Sequence, residues 1–311
     1  MIDLAVIGAG VMGSHHARVA MGLRAARLVA IVEPDVEAGQ RLAERTGAEH
    51  VTDIADVVDR IDAAIVAVPT DRHVAVGKPL LEAGIHVLME KPLASTAPEG
   101  EELIAAARAG SAVFMVGHVE RFNPAVLELR HILDDPVHLD AARIGRFAPR
   151  VDDSVVVDLM IHDLDVVCSL VGDYEPQVTA MGRKVITSEP DIVTAMLVFD
   201  SGATAVLTAS RIGQHKIRRL EVTQRDAFVV ADLLKQTVLI QRATRSGPIE
   251  EGGYRQESVI EIPYLRHQGE PLYLEQSHFV ECVTEGTDPL VDGAVGLKVL
   301  ELALHIRELV G

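Results

Sequence analysis

Ile2-Asp3-Leu4-Ala5-Val6-Ile7 runs directly into Gly8-Ala9-Gly10-Val11-Met12-Gly13, a helical pattern follows, and Leu28-Val29-Ala30-Ile31-Val32 ends at Glu33. This is an apolar strand, a G-x-G-x-x-G turn, a helix, a second apolar strand and a terminal acid. The bare glycine pattern is weak, but here it follows a strand, opens a helix and meets an acid 20 residues after its last glycine. That is the context a dinucleotide-binding unit requires. Gly8 permits the tight turn, Gly10 lets the backbone approach a pyrophosphate, and Gly13 lets the helix pack near the strand. The free N–H groups around Val11, Met12 and Gly13 would face the phosphates, and Glu33 would accept hydrogen bonds from the adenosine ribose. The competing reading is a glycine turn in an ordinary βαβ unit.

Glu33 also bears on cofactor choice. A ribose 2′-phosphate would face that carboxylate, with Asp35 close behind. Two like charges about 4 Å apart cost roughly 4 kcal/mol at an effective dielectric of ~20. No Arg or Lys lies between Glu33 and Gln40 to offset this, and Arg41 is the one residue nearby able to upset the argument. NAD is therefore favoured over NADP.

The bulk composition sets the remaining bounds. The chain has 311 residues, 48% hydrophobic and 24% charged, enough for two domains with real cores. It has no Trp, four Tyr and six Phe, so the cores are built from Val, Leu, Ile and Ala, which suits a largely parallel sheet. A net charge of −17 argues against nucleic acid or an anionic membrane as partner, and an anionic substrate would need a local cluster of Arg or Lys. Cys168 and Cys282 are far apart and in no metal-ligand spacing. The first strand leaves no room for a signal peptide and no apolar run approaches the ~18 residues of a membrane span. A cytoplasmic protein is the expectation.

Strand and helix patterns alternate without a break through the first part of the chain. Helices are expected over 36–46, stopped by Gly47, over 53–58, from a cap at Thr70 or Asp71 to about Gly84, and over 95–109. Strands are expected over 49–52, 62–68, 85–89 and 112–116. This is the pattern of a doubly wound parallel sheet, whose ligands bind at the carboxyl ends of the strands. The residues delivered there are Gly8, Glu33, Val68-Pro69-Thr70, Glu90-Lys91-Pro92 and Gly117-His118. Lys91 is a cation at a strand end, followed by a proline that fixes the turn. In a dry pocket beside a nicotinamide its pKa should fall, and it could hydrogen-bond a substrate hydroxyl. On these residues alone a solvated surface lysine is an equal alternative.

Ala83-Gly84-Ile85-His86-Val87-Leu88-Met89-Glu90-Lys91-Pro92 resembles the signature of the glucose–fructose oxidoreductase, inositol dehydrogenase and MocA (Gfo/Idh/MocA) family, as does Pro69-Thr70-Asp71-Arg72-His73 before it. Gly117-His118-Val119-Glu120-Arg121-Phe122-Asn123-Pro124 is similar to the segment in which that family crosses between its domains. The resemblance covers nearly the full length. It implies an NAD(P)-binding Rossmann domain over 1–120. It also implies an α/β substrate and oligomerisation domain over 121–311 with a large, mostly antiparallel sheet, its C-terminal helices able to pack back on the first domain. It adds His73 and Arg121 to the residues expected at the cofactor, beside Val68, Pro69, Thr70, Glu90 and Lys91. It also implies a homodimer or homotetramer formed through the C-terminal sheet.

In the second part, Pro124 can open a helix to about Leu133, and 137–147 reads as a strand. In Val157-Asp158-Leu159-Met160-Ile161-His162-Asp163-Leu164-Asp165 the i, i+4 spacing places Asp158 and His162 on one helix face, with Asp165 near it and Asp163 pointing elsewhere. A carboxylate and an imidazole together suit proton transfer. A metal site, lacking a second nearby His or a Cys, and a capped helix with solvated acids are the alternatives. The family resemblance implies that Asp158 and His162 are the active-site pair and, with Lys91, the catalytic set. In that set His162 is the general base, Asp158 a substrate anchor, and no metal takes part. The implied reaction is hydride transfer from a sugar or polyol carbon to NAD.

Beyond residue 177 the chain alternates in a β-rich meander, 177–187, 193–199, 203–211, 216–224, 227–232 and 237–242, then a Gly- and Glu-rich loop over 246–253 and a last strand over 258–263. Two helices, 272–284 and 294–310, close the chain. Within the family, 117–124 and the run from Pro149-Arg150-Val151 to Asp163 resemble enzymes that oxidise the 3-hydroxyl of UDP-N-acetylglucosamine. Arg143, Arg146 and Arg150 precede the catalytic helix in an otherwise acidic chain, and guanidinium groups bind diphosphate bidentately. Arg146 and Arg150 are therefore candidate substrate-binding residues, unless these arginines pair with Asp152 and Asp153 or face solvent. A neutral-sugar or myo-inositol dehydrogenase, and a non-catalytic NAD(P)-binding sensor, are the other readings.

Overall fold

The computed structural model describes residues 1–147, 154–249 and 253–311. In chain order the elements are β1 (Ile2–Ile7), α1 (Val11–Ala20), β2 (Ala26–Val32), α2 (Val36–Thr46), β3 (Glu49–Val51), β4 (Ala63–Val66), α3 (His73–Glu82), β5 (His86–Glu90), α4 (Ala97–Ala109), β6 (Phe114–Gly117), α5 (Pro124–Ile132), β7 (His138–Ile144), α6 (Ile161–Val171), β8 (Gln177–Arg183), β9 (Ile192–Val198), β10 (Thr204–Ser210), β11 (Ile217–Thr223), β12 (Phe228–Asp232), β13 (Thr237–Ile249), β14 (Gly253–Glu261), α7 (Pro271–Glu285) and α8 (Gly293–Val310). They form two compact units, Met1–Val119 with Glu270–Glu301, and Glu120–Gly269 with Leu302–Gly311.

The first unit is built on a six-stranded sheet, β3-β2-β1-β4-β5-β6, parallel throughout. Its central strands are continuous apolar runs; Leu4, Ala5, Val6, Ile65, Val66, Val87 and Leu88 are fully buried, as a sheet covered on both faces demands. The strand order reverses between β1 and β4, the switch point where such sheets bind ligands. Local chemistry sets the helix ends. Asp35 caps α2 through the Glu37 and Ala38 N–H groups, and Gly47 ends it at φ 74°. Thr96 and Glu99 form a capping box on α4. Neither Thr70 nor Asp71 caps α3: residues Thr70–Arg72 form a 3-10 turn and the helix starts at His73. The expected helix over 53–58 is two 3-10 turns, Ile54–Asp56 and Val58–Arg60. The chain returns late to this sheet, where Val116 N–H donates to the Val291 carbonyl at 2.9 Å on the outer side of β6 and α7 packs on α1.

In the second unit an eight-stranded sheet runs β14-β13-β12-β11-β7-β10-β9-β8. It is not the simple meander expected, because β7 inserts between β11 and β10, pairing antiparallel with one and parallel with the other. The expected loop over 246–253 is partly strand, since β13 continues to Ile249 and β14 starts at Gly253. Helices α5 and α6 pack on this sheet. Leu139 and Ala141 of β7, Ala205 and Leu207 of β10, and Leu220 and Val222 of β11 are buried, while Met196, Val198, Ile217 and Phe228 are exposed.

Arg143 breaks that apolar pattern. It alternates with Leu139 and Ala141 on the inward positions of β7 and is itself buried. Its Nε and Nη2 donate to Asp163 of α6 at 2.9 and 2.8 Å, and its Nη1 donates to Glu120 at 3.0 Å. Burial opposes its charge, but Asp163 and Glu120 outweigh burial and hold the guanidinium above its ordinary value. Burial would likewise raise the Glu120 carboxyl, yet Arg143 and Arg218 hold it below the usual range. The fork of an arginine and two carboxylates thus replaces the apolar packing that strand and helix would otherwise share.

The two buried features give two expectations. Arg143→Ala strands Asp163 and Glu120 without their shared counter-charge and should cost about 3–5 kcal/mol, read by urea unfolding; a loss below about 1 kcal/mol would show that the fork holds nothing. In the first unit, Glu275 of α7 is fully buried and neither carboxyl oxygen has a hydrogen-bond partner among the described residues. Burial, and then the nearby Glu90, raise it well above the usual range. The folded chain therefore keeps this proton to higher pH than the unfolded chain, and stability falls as pH rises from about 4.3 toward the raised value. The melting-temperature advantage of Glu275→Gln over wild type should grow between about pH 4.5 and pH 8; a constant difference would contradict this.

Candidate active site

Each unit carries its own part of the expected site. In the first, Gly8 has φ +100° and a Cβ there would lie 2.4 Å from the Ala67 carbonyl oxygen. At Gly13 a Cβ would lie 1.9 Å from the Gly8 carbonyl oxygen, so only glycine lets α1 pass this close to the turn. Gly10 is different: a Cβ there meets no protein atom within 4 Å, so the space in front of the turn is open. As N-cap of α1, Gly10 offers no side chain to the first-turn N–H groups, and Val11 and Met12 are exposed. An uncapped helix start facing open space fits a phosphate. Glu33 stands at the end of β2 with one carboxylate oxygen accepting from Ala9 N–H at 2.7 Å and the other from Asp35 N–H at 3.1 Å. Its orientation is thereby fixed toward the glycine turn. Arg41, the cation that could have offset Glu33, is paired with Glu37 on the exposed face of α2. These residues fit a dinucleotide with free ribose hydroxyls.

The other strand ends carry the remaining first-unit candidates. Val68, Pro69 and Thr70 follow β4 and are partly or fully exposed. His73 was expected at the cofactor, but its side chain is buried and bridges the loops, Nε2 to the Val68 carbonyl and Nδ1 to the Leu93 carbonyl, both at 3.1 Å. Burial pushes this imidazole down despite those carbonyls. Glu90 is also turned inward. Its Oε1 accepts from His16 Nε2 at 2.7 Å and its Oε2 from the Lys91 N–H at 3.1 Å. The Gln276 side-chain amide donates to His16 Nδ1 at 2.9 Å, which puts the imidazole proton on Nε2, facing Glu90. The backbone of Lys91 is therefore anchored by a buried His–Glu pair. Lys91 itself is half-buried, and its peptide bond to Pro92 is cis.

In the second unit the i, i+4 pair sits where α6 begins, but not on a regular α-helix. Residues Val156–Met160 form a π turn, with Ile161 N–H reaching back to the Val156 carbonyl, and α6 follows from Ile161. Single π turns inside helices concentrate at functional sites, because the wider turn re-aims side chains. Around this turn Met160, Ile161 and Leu164 are fully buried, and Asp163 belongs to the Arg143 fork. Asp165 accepts from Arg121 Nη1 at 2.9 Å. Asp158 and His162 are only half-buried. Among the described residues, no cluster of three or more His, Cys, Asp or Glu is placed to hold a metal ion.

The structure places the expected cations in different surroundings. Arg121, expected at the cofactor, is buried, and its guanidinium donates to Asp165 and to the Tyr174 hydroxyl at 3.0 Å. Arg143, read as part of an anion-binding cluster, is the core fork already described. Arg146 remains exposed, with Nε donating to the Gln214 carbonyl at 2.8 Å; Arg150 lies outside the described residues. The sequence reading missed His215, Lys216 and Arg218, which the β7–β11 register brings beside Arg146. The signal was present: in Lys216-Ile217-Arg218 two cations at i, i+2 share one face of a strand. His16 and Gln276, which brace Glu90, carried no local signal because 260 residues separate them.

Comparison with known proteins bears on the family and the fold. Residues 2–118 match the oxidoreductase family with an NAD-binding Rossmann fold, and residues 101–228 match the GFO/IDH/MocA C-terminal domain. The chain is 30% identical over 304 residues to UDP-N-acetylglucosamine 3-dehydrogenase of Acidithiobacillus ferrooxidans, covering 97% of this chain and 95% of that protein. It is 27% identical to inositol 2-dehydrogenase of Rhizobium meliloti, covering 97% and 94%. A solved structure of the Acidithiobacillus ferrooxidans enzyme superimposes with a TM-score of 0.89 at 30% identity, over 99% of this chain and 97% of that one. With its glycine turn, Glu33 and Lys91 in one unit and the Asp158–His162 segment in the other, the chain belongs to the Gfo/Idh/MocA family of NAD-dependent oxidoreductases.

Proposed function

We propose that this dehydrogenase oxidises a secondary hydroxyl of a nucleotide-linked sugar, with the 3-hydroxyl of UDP-N-acetylglucosamine as its substrate group. The observation that carries this reading is the similarity to a UDP-N-acetylglucosamine 3-dehydrogenase over nearly the whole of both chains. Lys91, Asp158 and His162 supply the groups that such an oxidation needs. The inositol 2-dehydrogenase similarity keeps a neutral polyol as the second reading.

Gly8, Gly10, Val11, Met12 and Gly13 hold the pyrophosphate of the cofactor and Glu33 its adenosine ribose. NAD, when bound, supplies the hydride acceptor. His162 takes the proton of the reacting hydroxyl on an imidazole nitrogen, a transfer its chemistry permits near neutral pH. The Lys91 ammonium hydrogen-bonds the same oxygen and stabilises the negative charge that develops there. Asp158 accepts a hydrogen bond from the sugar and fixes its orientation. Glu90, His73 and Arg121, with their side chains turned inward, act as supports of the loops rather than as ligands. Copies of the chain pair through the outer face of the second sheet, where Met196, Val198, Ile217 and Phe228 are exposed. A reducing, cytoplasmic setting suits the two free cysteines, and no helix among the described residues is long and apolar enough to cross a membrane.

The test is reduced-cofactor formation by protein freed of nucleotide, with NAD and NADP separately, against UDP-N-acetylglucosamine, UDP-glucose, inositol and glucose. 2-Oxoglutarate is added in parallel to draw off a tightly held cofactor. Turnover with NAD and the nucleotide sugar is expected; turnover only with inositol or glucose would replace the substrate assignment. Lys91→Ala should lower kcat by roughly 10²–10⁴ while NAD binding persists, and an unchanged kcat would remove Lys91 from the mechanism. Glu33→Ala should cut the preference for NAD over NADP at least tenfold in kcat/KM, since a repulsion of roughly 4 kcal/mol is removed; an unchanged preference would place the discrimination elsewhere.

A further inference from the structure

Within the second unit a cavity of about 500 Å³ opens between the end of β7 and the start of β11, lined by Arg146, Leu159, His215, Lys216 and Arg218 with Arg143. That volume is in the range of small-molecule sites. Its charge is out of keeping with a chain of net charge −17. Four permanent cations line it, and among the described residues the carboxylates paired with any of them are Glu120 and Asp163. Both of those are already claimed by the buried Arg143, and Arg218 shares the single Glu120 oxygen that Arg143 uses, at 2.9 Å. Among the described residues an excess of two positive charges is left.

The excess is costly in the free protein. Arg218 and Arg143 stand directly opposite each other on neighbouring antiparallel strands, an arrangement that destabilises like charges. Lys216 forms no ion pair among the described residues, and the Arg218 charge, burial and Arg143 push its ammonium down. Arg146 spends one N–H on the Gln214 carbonyl, and its other donors have no partner among the described residues. Leu159, which forms one wall, is the residue after Asp158 and lies three before His162. The basic cavity therefore adjoins the π turn that carries the proposed reacting pair.

We propose that Arg146, Lys216 and Arg218 form a seat for a diphosphate, the linker of a nucleotide-linked sugar whose sugar ring is then presented to the Asp158–His162 segment. This rests on the nucleotide-sugar reading above and names the residues that enforce it. The two negative charges of a diphosphate diester match the excess of two, and the fork of Arg218 and the ammonium of Lys216 supply charge-assisted donors. Lys216 and Arg146 select for the phosphates; Arg218, tied to Glu120, fixes where they sit.

Titration calorimetry on the full chain with UDP, inorganic pyrophosphate and uridine, together with turnover of UDP-N-acetylglucosamine, tests the seat. UDP and pyrophosphate should bind wild type more tightly than uridine, with affinity falling as salt rises. Lys216→Ala and Arg146→Ala should each weaken UDP at least tenfold and raise the KM of the nucleotide sugar similarly. NAD affinity should be unchanged and the melting temperature should not fall, since both side chains are exposed and their removal relieves like-charge repulsion. Wild-type turnover of the nucleotide sugar with unaltered UDP binding in both variants would overturn the seat alone. UDP binding lost in the variants without any oxidation of the nucleotide sugar would keep the seat and overturn the substrate. Failure of wild type to bind UDP or pyrophosphate would overturn the seat, and failure to oxidise the nucleotide sugar as well would overturn both.

Discussion

The second unit depends on one buried guanidinium. Arg143 occupies a core position on a central strand, where transferring a lone charge from water would be prohibitive. It is tolerated because Asp163 takes two of its N–H groups and Glu120 a third. Those bonds join β7, the start of α6 and the turn at Val119–Phe122, three segments far apart in sequence. Asp163 is the neighbour of His162, so the fork that satisfies Arg143 also fixes the rotation of the helix start that presents the proposed base. A buried ion pair is weak as a source of net stability, but breaking it is expensive, and that asymmetry makes it a strict positional constraint. Its remainder is the Arg218 charge, half-satisfied by Glu120, which opens onto the basic cavity.

The first unit solves a different problem by removing side chains. At Gly13 and Gly8 the backbone runs closer than any Cβ permits, which brings an uncapped helix start to the switch point of the parallel sheet. Glu33 closes the other side of that turn through the Ala9 N–H. The strand end bearing Lys91 is braced from within by Glu90, His16 and Gln276, a chain of hydrogen bonds whose last member comes from α7. The late segment Glu270–Glu301 is therefore part of the cofactor-binding unit although it follows the second sheet in sequence.

Much of this was legible because it is local. Apolar runs followed by Gly8, Glu33 and Glu90-Lys91 mark the parallel strands and their carboxyl ends, and Gly47 marks the end of helix α2. What the residues hid was long-range or geometric. The i, i+4 spacing of Asp158 and His162 does identify a shared face, but nothing in Val156–Met160 announces a π turn. The arginines before α6 read as one cluster, yet strand alternation sends Arg143 inward and leaves Arg146 out. Lys216 and Arg218 join Arg146 only through the β7–β11 register, which depends on β7 leaving the meander and inserting beside β11. The protein partners of His73, Glu90 and Arg121, the Val68 and Leu93 carbonyls, His16 and Asp165, are visible only in the folded chain.

The most direct measurement follows a label. Wild-type protein is given NAD and UDP-N-acetylglucosamine carrying deuterium at carbon 3, and the reduced cofactor is weighed by mass spectrometry. The account predicts that the reduced cofactor carries the deuterium, since the bond broken is the carbon–hydrogen bond beside the hydroxyl assigned to the proposed base, His162. Reduced cofactor without the label, or none at all from this substrate, would contradict it.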